Sequence, residues 1–224
     1  MRTFVHTVAV FALLTGVAYS APKTHVISFG KWTNIQWYIG PAEDQAVTAK
    51  SRAIIVDGKL KEFTLGTPHE ITDRIFVVRR ALRINDALPQ EPAAPSRWSW
   101  QPSGWLIVDR ATGHIAQASL PDFDPYYSSA SWYRDQVAYC GVSDDGKKLE
   151  AVVVQLGRRK TVLKKNLGDA PAVEDDRPGC VEPEWDRKPM RVTFAPKGAD
   201  RMTYTIQAHV METLKDEDDE EAAE

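Results

Sequence analysis

The feature that most constrains this chain is a series of short segments in which apolar and polar residues alternate, joined by glycine-containing turns. Met202 to Met211 sets Met202, Tyr204, Ile206, Ala208 and Val210 against Thr203, Thr205, Gln207 and His209, the period of a strand with one face in a core. Ile75 to Ile84 puts Phe76, Val78, Leu82 and Ile84 on one side and Arg79, Ala81 and Arg83 on the other. Between Ala53–Val56 and Lys59–Leu65 stands Asp57-Gly58, a pair that accepts the positive backbone angles of a tight hairpin turn. Three more hairpins follow from the same logic. Val137–Val142 meets Leu149–Leu156 across Asp144-Asp145-Gly146, Trp105–Val108 meets His114–Leu120 across Ala111-Thr112-Gly113, and Val192–Ala195 meets the final strand across Pro196-Lys197-Gly198. A helix is expected only at Pro41 to Lys50, where Pro41 suits a first turn and Glu43 and Asp44 suit its dipole. Consecutive hairpins with short turns define an all-β antiparallel meander: a small β-propeller-like domain, or alternatively a β-sandwich or barrel.

The first twenty residues read as an export signal. Arg2 precedes the mostly apolar run from Phe4 to Val17, and Ala18-Tyr19-Ser20 places small residues at both recognition positions for cleavage after Ser20. The run carries His6 and Thr7 and falls short of the ~20 apolar residues that span a bilayer. The expected product is therefore secreted or periplasmic, with no membrane insertion. Formal net charge is −3 for the whole chain, which gives no case for nucleic-acid binding. The last ten residues, Lys215 to Glu224, hold one lysine and seven acids. Charges this dense repel one another and bury nothing, so 215–224 is expected to be a disordered acidic tail. What remains, 21–214, is large enough for one all-β domain, with loops at Leu88–Pro95 and Gly168–Pro183.

Cys140 and Cys180 are the only cysteines. An oxidising compartment favours their closure into a disulfide, against the alternative of two unpaired thiols. Neither a Cys-x-x-Cys nor a zinc-ligand spacing is present.

Ser131-Trp132 to Tyr139, then Lys148 to Leu156, Gly157 and Arg159 to Leu163 resemble one blade of the bacterial periplasmic β-propeller proteins of the TolB type, in which a tryptophan starts the inner strand and a glycine turn separates the outer ones. Trp98–Leu120 and Trp185–Val210 resemble further blades. The likeness covers about 90 residues and lacks the Ser-Pro-Asp-Gly turn of that family. It implies a propeller of four or five blades at ~40–45 residues each.

Catalytic chemistry is thin. His25, His69, His114 and His209 stand in no metal-ligand or catalytic spacing, no Gly-x-Ser-x-Gly elbow exists, and no glycine-rich phosphate loop appears, so no cofactor is indicated. Asp122 and Asp124 share a loop with Phe123, Tyr126 and Tyr127, followed by Asp135. Such carboxylates could serve a glycosidase, but Asp and Pro are also what any tight loop uses, and calcium would want more oxygen ligands. Aromatic residues give the distinctive signal: Trp98, Trp100 and Trp105 are three of the seven tryptophans, within eight residues. If 98–101 is extended, Trp98 and Trp100 share a face and form a shelf for a sugar or an extended peptide. Trp105 leads an apolar run and is expected in the core, as are Trp32 and Trp37 in the first hairpin.

Together these features point to a non-enzymatic exported β-domain that binds an envelope or extracellular protein or glycan through Trp98, Trp100, Tyr126, Tyr127, Asp122 and Asp124. The alternative is a glycan-active hydrolase using Asp122, Asp124 and Asp135. Because the acidic tail cannot contribute burial, deleting Lys215–Glu224 should leave the melting temperature of the exported domain almost unchanged, as read by circular dichroism; a fall of many degrees would show that the tail packs.

Overall fold

A computed structural model describes residues 25–38, 46–85, 98–170 and 180–206. Both the signal segment and the acidic tail lie outside the described residues. Every regular element described is a strand, and every pairing is antiparallel.

Seven strands form the first sheet: β1 (Ile27–Phe29), β2 (Thr33–Tyr38), β3 (Ala46–Val56), β4 (Lys59–Glu70), β5 (Ile75–Asn85), β6 (Trp98–Asp109) and β7 (Ile115–Gln117). From β3 to β7 each strand pairs with the next, while β1 and β2 lie end to end along the free edge of β3. The β3–β4 hairpin turns at Asp57 and Gly58, both with positive φ (52° and 75°), as the Asp-Gly pair requires. One face of the sheet buries Ile54, Phe76, Val78, Leu106 and Val108, with Ile27, Phe29 and Ile115 packed against them. Residues of β1 and β7, the opposite edges, thus cover one cluster. A Cβ placed on Gly113, in the β6–β7 turn, would come within 3.0 Å of the His25 ring beside β1. The sheet is coiled but does not close into a barrel, since β1 and β7 are not paired.

A second sheet of four strands runs in sequence order: β8 (Ala130–Tyr133), β9 (Gln136–Val142), β10 (Lys148–Gln155) and β11 (Leu163–Asp169). A third holds β12 (Cys180–Arg187), β13 (Met190–Pro196) and β14 (Met202–Thr205). The second sheet is buried on both sides. Val137, Tyr139, Val152 and Val154 form one face with Leu120, Phe123, Ala130 and Trp132. Ala138, Cys140, Leu149, Ala151 and Val153 form the other, against Val192 and Phe194 of the third sheet. Two covered faces explain why the sequence here reads as continuous apolar runs instead of an alternation. The disulfide Cys140–Cys180 ties β9 to β12 with a Cα–Cα separation of 6.1 Å.

The four predicted hairpins are present. In the last strand Met202, Tyr204 and Ile206 turn inward and Thr203 and Thr205 outward, as the alternation requires; 207–211 lie outside the described residues. Three expectations are corrected. No helix occupies Pro41–Lys50: Ala46–Lys50 opens β3, because Val47 and Ala49 pair with Trp37 and Ile35 and extend the sheet, and 41–45 lie outside the described residues. Arg159 and Lys160 belong to an exposed loop, and the outer strand begins at Leu163, where pairing with Val153 resumes. The long 168–183 loop is shortened from both ends by β11 and β12. Of the blade-like segments, 131–163 contributes to the four-stranded sheet, Trp98–Leu120 supplies β6 and β7 to the first sheet, and Trp185 lies within β12.

The disulfide closes a loop of sequence separation 40, which the chain-entropy relation values at about 4 kcal/mol. Replacing both cysteines by alanine should lower unfolding free energy by that order in urea titration, with a slope that rises as the uncrosslinked chain expands; a loss below about 1 kcal/mol would mean that packing alone holds β12 on β9.

Candidate functional site

The tryptophan-rich segment is β6, and its partner β5 supplies what the sequence could not assign to it. Along the register, Trp98 faces Asn85, Trp100 faces Arg83, Pro102 faces Ala81 and Trp105 faces Arg79. From Pro102 to Trp105 β6 advances three positions where β5 advances only two, so a bulge at Ser103-Gly104 returns Trp105 to the face that carries Trp98 and Trp100. One face of the sheet therefore holds three indoles, with the guanidiniums of Arg79 and Arg83 beside them.

At the outer end Trp98 is 52% exposed. The Arg83 guanidinium lies over its ring at 4.7 Å and over the Trp100 ring at 5.8 Å. Trp100 is half-buried and meets Phe63 edge-on at 4.9 Å. At the inner end Trp105 packs edge-on against Trp132 of the second sheet at 5.3 Å. Here the strip runs into a cleft of about 360 Å³ between the sheets, walled by Trp37, Leu65, Arg79, Trp105, Tyr126 and Glu182 among others.

Among the described residues, Arg79 is the only positively charged side chain in that wall. It donates from Nη2 to the Pro125 carbonyl at 2.8 Å, its guanidinium lies 5.0 Å from the Phe123 ring centre, and its Nε is buried without an acceptor among the described residues. Burial pushes its pKa down to about 10, with nearby Asp124 acting the other way. The Trp105 indole N–H, opposite it in the register, is likewise buried without an acceptor. A second hollow, of about 560 Å³, shares Pro125 with the cleft and is lined by Ser103, Gln117, Ser119 and Phe123, with no charged side chain among the described residues.

The loop carboxylates hold the loop together. Asp122 accepts from Lys164 Nζ at 2.9 Å, and its own carbonyl accepts from the Val142 amide. With Glu150 it pushes the lysine pKa up to about 12. The Asp122 backbone also passes so near β9 that a Cβ on Gly141 would sit 2.8 Å from its carbonyl oxygen. Asp124 Oδ1 accepts the Tyr126 and Tyr127 amides at 2.7 and 3.2 Å, the Asx-turn pattern. Asp135 accepts from Gln155 Nε2 at 2.8 Å. Each of the three is thus engaged by a different structural partner. Of the two loop tyrosines, Tyr126 lines the cleft while Tyr127 is buried beneath it in the fold.

Of the six proposed ligand residues, Trp98 and Trp100 stand at the outer end of the strip and Tyr126 in the cleft, while Tyr127 is buried and Asp122 and Asp124 are engaged in holding the loop. Trp37 is half-buried and lines that cleft, and Trp32 is 44% exposed beneath the Arg52 guanidinium, so neither is the core residue expected. Ile35 fills the buried position of β2 instead. The histidines serve local structure: His25 bonds Asp57, and His69 stacks on Trp132 and donates to the Arg134 carbonyl. His209 lies outside the described residues. Among the described residues no cluster of three or more His, Cys, Asp or Glu could hold a metal ion. Arg79 and Arg83 were missed as site residues; their shared face was legible from alternation, but their pairing with the tryptophan strand was not. No protein-family model, curated protein or solved structure matches the chain.

Truncation should separate the two ends of the strip. Trp98→Ala should shift stability by no more than about 0.5 kcal/mol, the surface value. Trp105→Ala, which removes the ring packed on Trp132, should cost about 3 kcal/mol. Chemical denaturation of both variants tests this, and equal losses would mean that Trp98 is as much a packing residue as Trp105.

Proposed function

We propose that this chain is a non-enzymatic exported β-domain that binds an extracellular or envelope glycan through the tryptophan strip of β6. The single observation that carries the reading is the placement of Trp98, Trp100 and Trp105 on one face by the Ser103-Gly104 bulge, with Trp98 still half-exposed. Ring faces in a row suit flat sugar rings, and a strand that carries them on a paired sheet holds them rigidly at low conformational cost. The disulfide supports an oxidising compartment, in keeping with the export signal read in residues 1–20. The resemblance of 131–163 to a blade of periplasmic propellers supports the same location.

Binding is favoured over hydrolysis because Asp122, Asp124 and Asp135 are each held by Lys164, by two backbone amides and by Gln155 respectively. A hydrolase needs one carboxyl group to give up a proton and another to stand free beside the sugar. A protein partner would dock on the same strip.

Purified mature protein incubated with an immobilised glycan panel should show saturable binding that Trp98→Ala weakens about tenfold, with no reducing ends released. Release of reducing ends that Asp124→Asn abolishes would replace this reading with the hydrolase.

A further inference from the structure

The strip is not only aromatic. Arg83 and Arg79 point from the same face of β5, four residues apart, which at ~3.3 Å per residue sets their Cα atoms about 13 Å from each other. No carboxylate forms an ion pair with either among the described residues, whereas Arg74, Arg80, Arg110 and Arg191 each hold one. Arg83 is covered instead by indole faces, and Arg79 by a carbonyl and a phenyl ring. Arg79 is half-buried in the cleft wall and Arg83 is exposed at the outer end of the strip, each with its positive charge in no direct ion pair among the described residues. Two carboxylates are close by without bonding either guanidinium: Asp124, whose charge acts on Arg79 while its Oδ1 accepts the Tyr126 and Tyr127 amides, and Glu182, exposed on the cleft wall.

We propose that Arg79 and Arg83 form two anion subsites along the tryptophan strip, so that the ligand is an acidic glycan carrying a carboxylate on repeated sugar units. This rests on the glycan-binding reading above and specifies its substrate class. A single small anion would need one guanidinium. Two on one face, with Trp100 and Pro102 between them, fit a ligand whose charge repeats along its length and whose uncharged parts are flat. The strip offers side-chain faces and forked donors. Around Arg79 the β5 backbone is paired on both sides, with β4 and with β6, so an acidic peptide would find little main chain there with which to pair, whereas 82–85 pair with β6 alone. A guanidinium fork matches a carboxylate bidentately at exposed Arg83, whereas Arg79, with Nη2 on the Pro125 carbonyl and Nε buried, has Nη1 left to donate, in a partly desolvated cleft where a charged bond is stronger than at an open surface. The Arg83 guanidinium lies over the Trp98 ring and, farther off, the Trp100 ring, which favours one orientation before a ligand arrives.

The test uses the full mature chain and a short oligogalacturonate, with its methyl ester as the probe that keeps every ring and removes the charge. Calorimetry should show the acid bound about tenfold more tightly than the ester. Arg83→Gln, an exposed position, should remove part of the acid's advantage over the ester with the melting curve unchanged, Arg79→Gln should likewise remove part of it, and the double variant should bind acid and ester alike. Arg79→Lys, which keeps the charge but loses the fork, should fall between the native chain and Arg79→Gln and covers the case in which the glutamine variant does not fold. Equal binding of acid and ester would overturn the anion subsites and leave the glycan reading intact. Tighter binding of a polyglutamate peptide than of the oligogalacturonate would overturn the assignment to a sugar. Binding of neutral members of the glycan panel with neither form of oligogalacturonate bound would overturn it too, and binding of no glycan at all would fail the parent reading itself.

Discussion

The double-sided burial of β9 and β10 is the constraint on which the rest of the structure depends. Val137, Tyr139, Val152 and Val154 face one way and Ala138, Cys140, Ala151 and Val153 the other, and all eight are buried. At about 25 cal/mol per Å² of apolar area, a sheet covered on both faces gains close to twice what an equal sheet gains with one face in water. The third sheet is held by one of these faces and by the disulfide that leaves it at Cys140. The other face carries Phe123 and Trp132, and through them it meets Arg79, His69 and Trp105 of the first sheet.

That contact is also what makes the cleft. The 121–128 loop is folded on itself by Asp124 and Ser128, whose hydroxyl donates to the Cys140 carbonyl, and is fixed to β9 by Asp122. Tyr139 reinforces the same anchor, its hydroxyl donating to the Pro121 carbonyl while burial raises its pKa. A loop pinned at so many points can present Pro125 and Tyr126 to the first sheet as a rigid wall. The acidic residues that look catalytic in the sequence are, in the fold, the means by which an aromatic and cationic surface is held in place.

Polar groups at the boundary between the sheets show where function and stability meet. A buried donor without an acceptor costs roughly 1–3 kcal/mol, and Arg79 Nε and the Trp105 and Trp132 indole nitrogens are all in this state among the described residues. Elsewhere on the first sheet Arg80 and Arg110 form bidentate pairs with Glu62 and Glu70, the latter lowering the Glu70 pKa mainly through the Arg110 hydrogen bonds, while Arg52 lies over the Phe29 and Trp32 rings with its Nε buried and unpartnered among the described residues.

Strand identity, the hairpin turns and the two-faced character of β5 were legible in the sequence, because side-chain alternation and turn chemistry act over a few neighbouring residues. Asp57-Gly58 specifies its turn with no help from the rest of the chain, and Met202, Tyr204 and Ile206 share a face by the geometry of an extended backbone alone. Both cysteines could be named, though whether their Cβ atoms meet depends on how two sheets stack. The helix expected at Pro41–Lys50 failed over Ala46–Lys50, because pairing with β2 outweighs a weak local preference. What only the tertiary structure decided is which strands pair and in what register: a one-residue bulge at Ser103-Gly104 sets whether Trp105 joins Trp100 or turns from it, and no local pattern marks it. The site arises from that choice, because it joins tryptophans of one strand to arginines of another, a relation that exists only once the chain has closed on itself.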